Sequence, residues 1–199
     1  MARNSRRALW TAKVLGNLPN QVRTPDEDES LGSQHTPLGR RAFHGIVLGI
    51  DPSLRGTGMA LVEFSPAGAR LLSSRTVKFK PTVPLPTCLG EIFEAVRETL
   101  ANTKVKHVAI EETIFVQNRK AVHILGAARG AAIAAAARAH AEVFEYAPRR
   151  VKQAVVGRGA ASKEQVVAMV AQQLGCAHLP SDEADAAATA LCHAFTWRG

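Results

Sequence analysis

The sequence predicts an α/β fold in which a mixed five-stranded sheet is flanked by helices. Three observations carry this. Short apolar runs of strand length recur from residue 44 onward. The first three follow one another through turn residues alone. The later ones are separated by amphipathic or alanine-rich stretches of helical length, which makes a mixed sheet with helices packed on it.

The elements follow in order. Ile46 to Ile50 is a continuous apolar run and reads as a buried central strand. Gly58 to Phe64 and Arg70 to Phe79 read as two more strands. Leu89, Ile92, Phe93, Val96 and Leu100 recur at helical spacing, so about 87–102 is an amphipathic helix. Val108 to Ile110 is a fourth strand, 119–140 an alanine-rich helix, and Val143 to Tyr146 a fifth strand. Pro148 suits the first turn of a short helix. Ser162 and Gln165 have capping-box spacing ahead of Val166, Val167, Met169 and Val170, which predicts another helix. A last helix runs from about Ser181 to Phe195.

The 199 residues suit one domain. A chain this long can bury roughly 70% of its unfolded surface, so it needs no disulfide or structural metal. Aromatics are 5%, so the core must be built mostly of Ala, Val, Leu and Ile. No apolar run approaches the length of a membrane span, and no secretory signal opens the chain. Cys88, Cys176 and Cys192 are an odd count without CxxC spacing and read as reduced thiols, hence a cytoplasmic setting. Cys176 near His178 and Cys192 beside His193 match no zinc-ligand spacing.

Residues 1–43 stand apart. Polar residues and prolines interrupt each apolar patch, and an acidic run spans Asp26 to Glu29. The stretch reads as a mobile tail, with the folded domain over 44–199. It holds 7 basic and 4 acidic residues, leaving 18 basic against 13 acidic in the domain. Most of the +8 net charge therefore belongs to the folded part, which favours an anionic partner such as nucleic acid or a membrane surface.

Four carboxylates are informative by position. Asp51 and Glu111 each end an apolar strand, where ligand sites open in such sheets. Asp182 and Asp185 lie three apart on one helix, hence on one face. Each placement alone has an ordinary explanation: a strand end begins a turn, and a helix start favours acids. Together, acids brought to one sheet edge repel unless a cation is shared. Oxygen-only clusters suit Mg²⁺ or Mn²⁺. Glu112 alternates away from Glu111 and reads as its solvent-facing neighbour. The segment from Lys152 through Gly157, Arg158 and Gly159 to Lys163 reads as a glycine-containing loop feeding a helix. Lys163 in that first turn is locally unfavourable, which either a bound phosphate or simple solvation would resolve.

These residues resemble the RuvC-type Holliday-junction resolvases. The strings are Gly49-Ile-Asp51-Pro52, Ala109-Ile-Glu111-Glu112, Leu125 to Gly130, Phe144 to Ala147, Val151-Lys-Gln153 with Val155-Val-Gly157, and Asp182-Glu-Ala-Asp185-Ala186, in the family's order over about 45–195. The resemblance implies a ribonuclease H-like fold and a Mg²⁺-dependent endonuclease, with Mn²⁺ a plausible substitute. It implies a homodimer that makes paired symmetric nicks in four-way junction DNA, beside a RuvA–RuvB-type branch-migration complex in the nucleoid. The family's acidic tetrad falls on Asp51, Glu111, Asp182 and Asp185, which would hold the metal, and a catalytic lysine on Lys163. The junction-facing set falls on Lys152, Lys163, Arg158, Ile114, Phe115, Arg119 and Lys120. The alanine-rich helix resembles the family's dimer helix. There Gly126 and Gly130 would allow a close approach, either to a partner or to the chain's own sheet.

The sequence also departs from the pattern. Ile114 stands where the family's wedge phenylalanine is expected, with Phe115 one residue later. Ser53 replaces a glycine after Pro52, and Glu183 adds an acid expected to face solvent. Three other readings compete. One is a ribonuclease H-like nuclease of different substrate, and another is a junction-binding protein without catalysis. The third is an actin-like ATPase, for which the chain is too short.

Overall fold

The apolar run that ends in Asp51 takes the middle of the sheet. The computed structural model describes residues 22–23, 42–112 and 119–198. In chain order the elements are β1 (Val22–Arg23), β2 (Gly45–Asp51), β3 (Gly56–Ser65), β4 (Gly68–Lys78), α1 (Leu85–Ala101), β5 (His107–Glu111), α2 (Arg119–Arg138), β6 (Glu142–Tyr146), α3 (Pro148–Val156), α4 (Lys163–Leu174) and α5 (Ser181–Thr196). The strand order is β1-β6-β5-β2-β3-β4. β2–β3 and β3–β4 are antiparallel, and β2–β5 and β5–β6 are parallel.

Five of these strands are the expected ones, and the sixth is an addition. Val22 and Arg23, inside the stretch read as a tail, pair in parallel with Val143 and Phe144 at the sheet edge. Phe43, the last residue assigned to that stretch, is buried, its ring edge-on to Phe64, His193 and Trp197. The folded unit therefore begins before His44. Apart from Val22, Arg23, Ala42 and Phe43, the stretch 1–43 lies outside the described residues.

Strand alternation splits the sheet into two faces. Leu48, Ile50, Met59, Leu61, Val108 and Ile110 point to one face and pack against Ile92 and Val96 of α1 and Ala128, Ala132 and Ala135 of α2. Val47, Ala60, Val62, Ala109 and Phe144 point to the other, beneath Val151 and Val155 of α3, Val166 and Val170 of α4 and the alanines of α5. In β4 the register slips between the pairs Leu61↔Ser73 and Val62↔Leu71, so Leu72 has no partner opposite it. This bulge explains its exposure.

The helix ends follow from local chemistry. Pro148 opens α3, and Gly157, at φ 84°, closes it in the left-handed region. Lys152 is thus a helical residue, and the loop before α4 is confined to the residues after Val156. The capping box forms as expected. Gln165 N donates to Ser162 Oγ at 3.3 Å, and Ser162 N donates to Gln165 Oε1 at 3.0 Å. Among the described residues no helix is long and apolar enough to cross a membrane.

Candidate active site

Parallel pairing brings the first two acids together. β2 and β5 are neighbours with Ile50 opposite Ile110, so the next residues, Asp51 and Glu111, leave the sheet side by side. By alternation both point away from Ile50 and Ile110, toward the face that carries α5. α5 lies close over that face because two glycines permit it. A Cβ at Gly49 would overlap the carbonyl oxygen of Ala186, and one at Gly58 that of Asp182. The alanines at 184, 186, 187, 188 and 190 are fully buried and keep the contact flat. This close seat lowers Asp182 and Asp185 onto the sheet edge.

The electrostatics follow from this convergence. Burial, then the charge of Asp185, pushes the Asp51 carboxyl up to about 6; Asp182 adds to the rise and Lys163 opposes it. Burial, then Asp51 and Asp185, pushes Glu111 up to about 7, against Lys152 and Lys163. Lys163 Nζ lies 2.8 Å from Asp185 Oδ2, and this hydrogen bond holds the ammonium above its ordinary range. The lysine in the first turn of α4 thus has a carboxylate of α5 as a partner, while about half of its side chain stays open to solvent. A cavity of about 210 Å³ opens here, lined by Glu111, Pro148, Val151, Lys152, Lys163, Val166, Asp185 and Ala188. Two acids and two lysines share it with an apolar wall.

The four acids are of the chemistry that a hard divalent cation requires: oxygen donors, mutually repelling, partly desolvated. As the side chains stand, no group of three or more His, Cys, Asp or Glu among the described residues is arranged to hold a metal ion. The Lys163 ammonium supplies the positive charge instead, and its side chain is 54% exposed. A half-exposed lysine can swing off Asp185, so the residues fit a cation that displaces it.

The remaining expectations fall as follows. Lys152 and Lys163 line the cavity, and Arg158 is exposed on the loop past α3. Lys120 is exposed at the start of α2, where Arg119 is the first residue. Ile114 and Phe115 lie outside the described residues. Glu183 does not face solvent as expected; it accepts hydrogen bonds from Ser74 and Thr76. The charge of Glu112 reaches the Arg129 guanidinium of α2, which pairs with Glu145 of β6. Gly49, Gly58 and Arg129 were not singled out for these roles in the sequence. Only the glycines had a signal, since a residue without a side chain beneath a helix permits close approach.

Acids gathered at neighbouring strand ends, with lysines across a cavity, have the chemistry to engage a cation and a phosphate together, on a sheet of the ribonuclease H-like order. Comparison with known proteins is more specific. Residues 47–193 match the family described as crossover junction endodeoxyribonuclease RuvC. The enzyme of that name from Chromohalobacter salexigens is 41% identical over 155 residues, 77% of this chain and 83% of the relative. The Thermus thermophilus RuvC structure shares 39% identity at a TM-score of 0.70, covering 75% of this chain and 93% of that one. The T. thermophilus RuvC in complex with a Holliday junction substrate shares 38% at 0.69, with the same coverage. The chain belongs to the RuvC family of crossover junction endodeoxyribonucleases, divalent-metal-dependent nucleases.

Proposed function

We infer that this chain is a metal-dependent endonuclease that resolves four-way DNA junctions by paired symmetric nicks. One observation carries the chemistry: burial and the charge of Asp185 raise the charge cost of both Asp51 and Glu111, beside a cavity lined by Glu111, Asp185, Lys152 and Lys163. Asp51, Glu111, Asp182 and Asp185 would hold the cation, with Mg²⁺ the proposed ion and Mn²⁺ its substitute. Such a cation, when bound, polarises the scissile phosphate and makes an attacking water more acidic. Once off Asp185, Lys163 is placed to offset charge that builds on the phosphate, with Lys152 gripping the adjoining backbone. Pro148, Val151, Val166 and Ala188 thin the water around these charges, which strengthens each interaction.

Further along the DNA face we assign backbone contacts to Arg158, Arg119 and Lys120, and the junction wedge to the pair Ile114 and Phe115. The nuclease unit is assigned to 44–199, with Phe43 added to its core, and no part of the chemistry is given to the residues before it. A homodimer joined through α2 is proposed, since a Cβ at Gly126 or Gly130 meets nothing within 4 Å. These glycines are therefore not spent on packing against the chain's own sheet. A RuvA–RuvB-type complex in the cytoplasmic nucleoid is the proposed context.

The test is cleavage of a synthetic four-way junction with and without Mg²⁺. The expected result is a pair of symmetric nicks in Mg²⁺, none in chelator, and loss of nicking in Asp51→Asn with junction binding kept. Equal cutting of linear duplex would favour another nuclease substrate. Binding without nicking in Mg²⁺ would leave a junction-binding protein.

A further inference from the structure

Glu183 lies one residue past Asp182 in the first turn of α5. Ser74 Oγ donates to its Oε2 at 2.5 Å and Thr76 Oγ1 to its Oε1 at 3.2 Å, so each carboxylate oxygen has its own hydroxyl. Ser74 and Thr76 are two apart on β4 and pair with Ala60 and Gly58, which places both hydroxyls on the α5 face. The first turn of α5 has no capping side chain, because Pro180 stands at its N-cap. Glu183 supplies the anchor that the cap does not.

The glycines at 49 and 58 set how deep α5 sits, but a helix resting on glycine can still roll about its axis. Successive helical residues turn by about 100°, so Asp185 stands about 60° to one side of Asp182 and Glu183 about 100° to the other. β4 lies on one flank of α5, with β2 and β5 toward the other. Tying Glu183 to β4 therefore turns Asp185 toward Asp51, Glu111 and Lys163. We propose that Glu183, gripped by Ser74 and Thr76, is a positioning residue that fixes the roll of α5 and so holds Asp182 and Asp185 within reach of a cation shared with Asp51 and Glu111. This rests on the metal-site reading above.

Binding of Mn²⁺ to the full chain without DNA, followed by calorimetry, tests it. Two variants separate geometry from charge. Glu183→Gln removes the charge but keeps an amide that can bond both hydroxyls. Ser74→Ala with Thr76→Val keeps the charge and removes the grip. Positioning predicts that the double variant and Glu183→Ala each weaken Mn²⁺ binding about tenfold, while Glu183→Gln stays within about twofold. In nicking assays the loss should appear as a raised half-saturating Mn²⁺ concentration, with the rate at saturation kept. A harmless double variant beside a weakened Glu183→Gln would replace positioning by simple charge and overturn the proposal. Unchanged Mn²⁺ binding in all three, with only a lower melting temperature, would reduce Glu183 to a structural tether. Asp185→Asn checks the reading underneath: Mn²⁺ binding as tight as in the wild type there would overturn the metal site itself, independently of the Glu183 variants.

Discussion

His193 is fully buried between two partners, the Tyr146 hydroxyl 2.7 Å from its Nδ1 and His107 Nδ1 2.9 Å from its Nε2. Burial, and secondarily His107, holds its imidazole down to about 3, against 6.5 ordinarily. The folded chain therefore keeps it neutral where the unfolded chain takes up a proton. The sign follows: as pH falls from 6.5 toward 3 the unfolded state gains, and folding loses roughly 1 kcal/mol per pH unit from this group. Asp51 and Glu111, raised to about 6 and 7, act in the opposite direction, favouring the fold as pH falls. The measurement is thus a difference, the melting temperature of wild type minus that of His193→Asn from pH 7 to 4. It should shrink on acidification, and a flat difference would refute the assignment. At this scale the acids were legible because two of them end apolar strands and two lie three apart at the start of a helix. The histidine network and the Glu183 grip were not, because Tyr146, Ser74 and Thr76 reach their partners only through the tertiary fold.

Among the elements, α5 does most to make the site. It carries two of the four acids and covers β2 and β3 through a layer of alanine and glycine. Gly58→Ala should push the helix off the sheet at Asp182, costing about 1–3 kcal/mol of stability by overpacking. It should also weaken Mn²⁺ binding, because the backbone that must yield is that of Asp182, a proposed ligand. Calorimetry and thermal melts on the same sample would read both, and a variant that loses neither would show that the contact is slack. Element type and order were legible from periodicity, and the capping box and Pro148 placed two helix starts correctly. The extent of α3 was not, since Gly157 and Gly159 suggested a loop reaching back to Lys152. The glycine that matters there only ends the helix. The β4 bulge was likewise hidden, because an inserted residue leaves the composition of a strand unchanged.

For the whole molecule, strand order decides the chemistry. Asp51 and Glu111, 60 residues apart in the chain, become neighbours only because β5 crosses over to lie beside β2. Composition and alternation indicated a mixed sheet, but that adjacency came from the resemblance and not from any local signal. Assembly is the next level. If α2 meets its copy through Gly126 and Gly130, Gly130→Leu should give a monomer in light scattering with its melting temperature little changed, since the position is open within the chain. A persistent dimer would place the interface elsewhere. The ion pair of Lys163 with Asp185 has one more consequence. The acids bring their own counter-charge, so their repulsion is partly quenched as the chain closes up. A fold that closes without waiting for a divalent cation would leave cation supply to govern how much of the protein is working rather than how much of it survives.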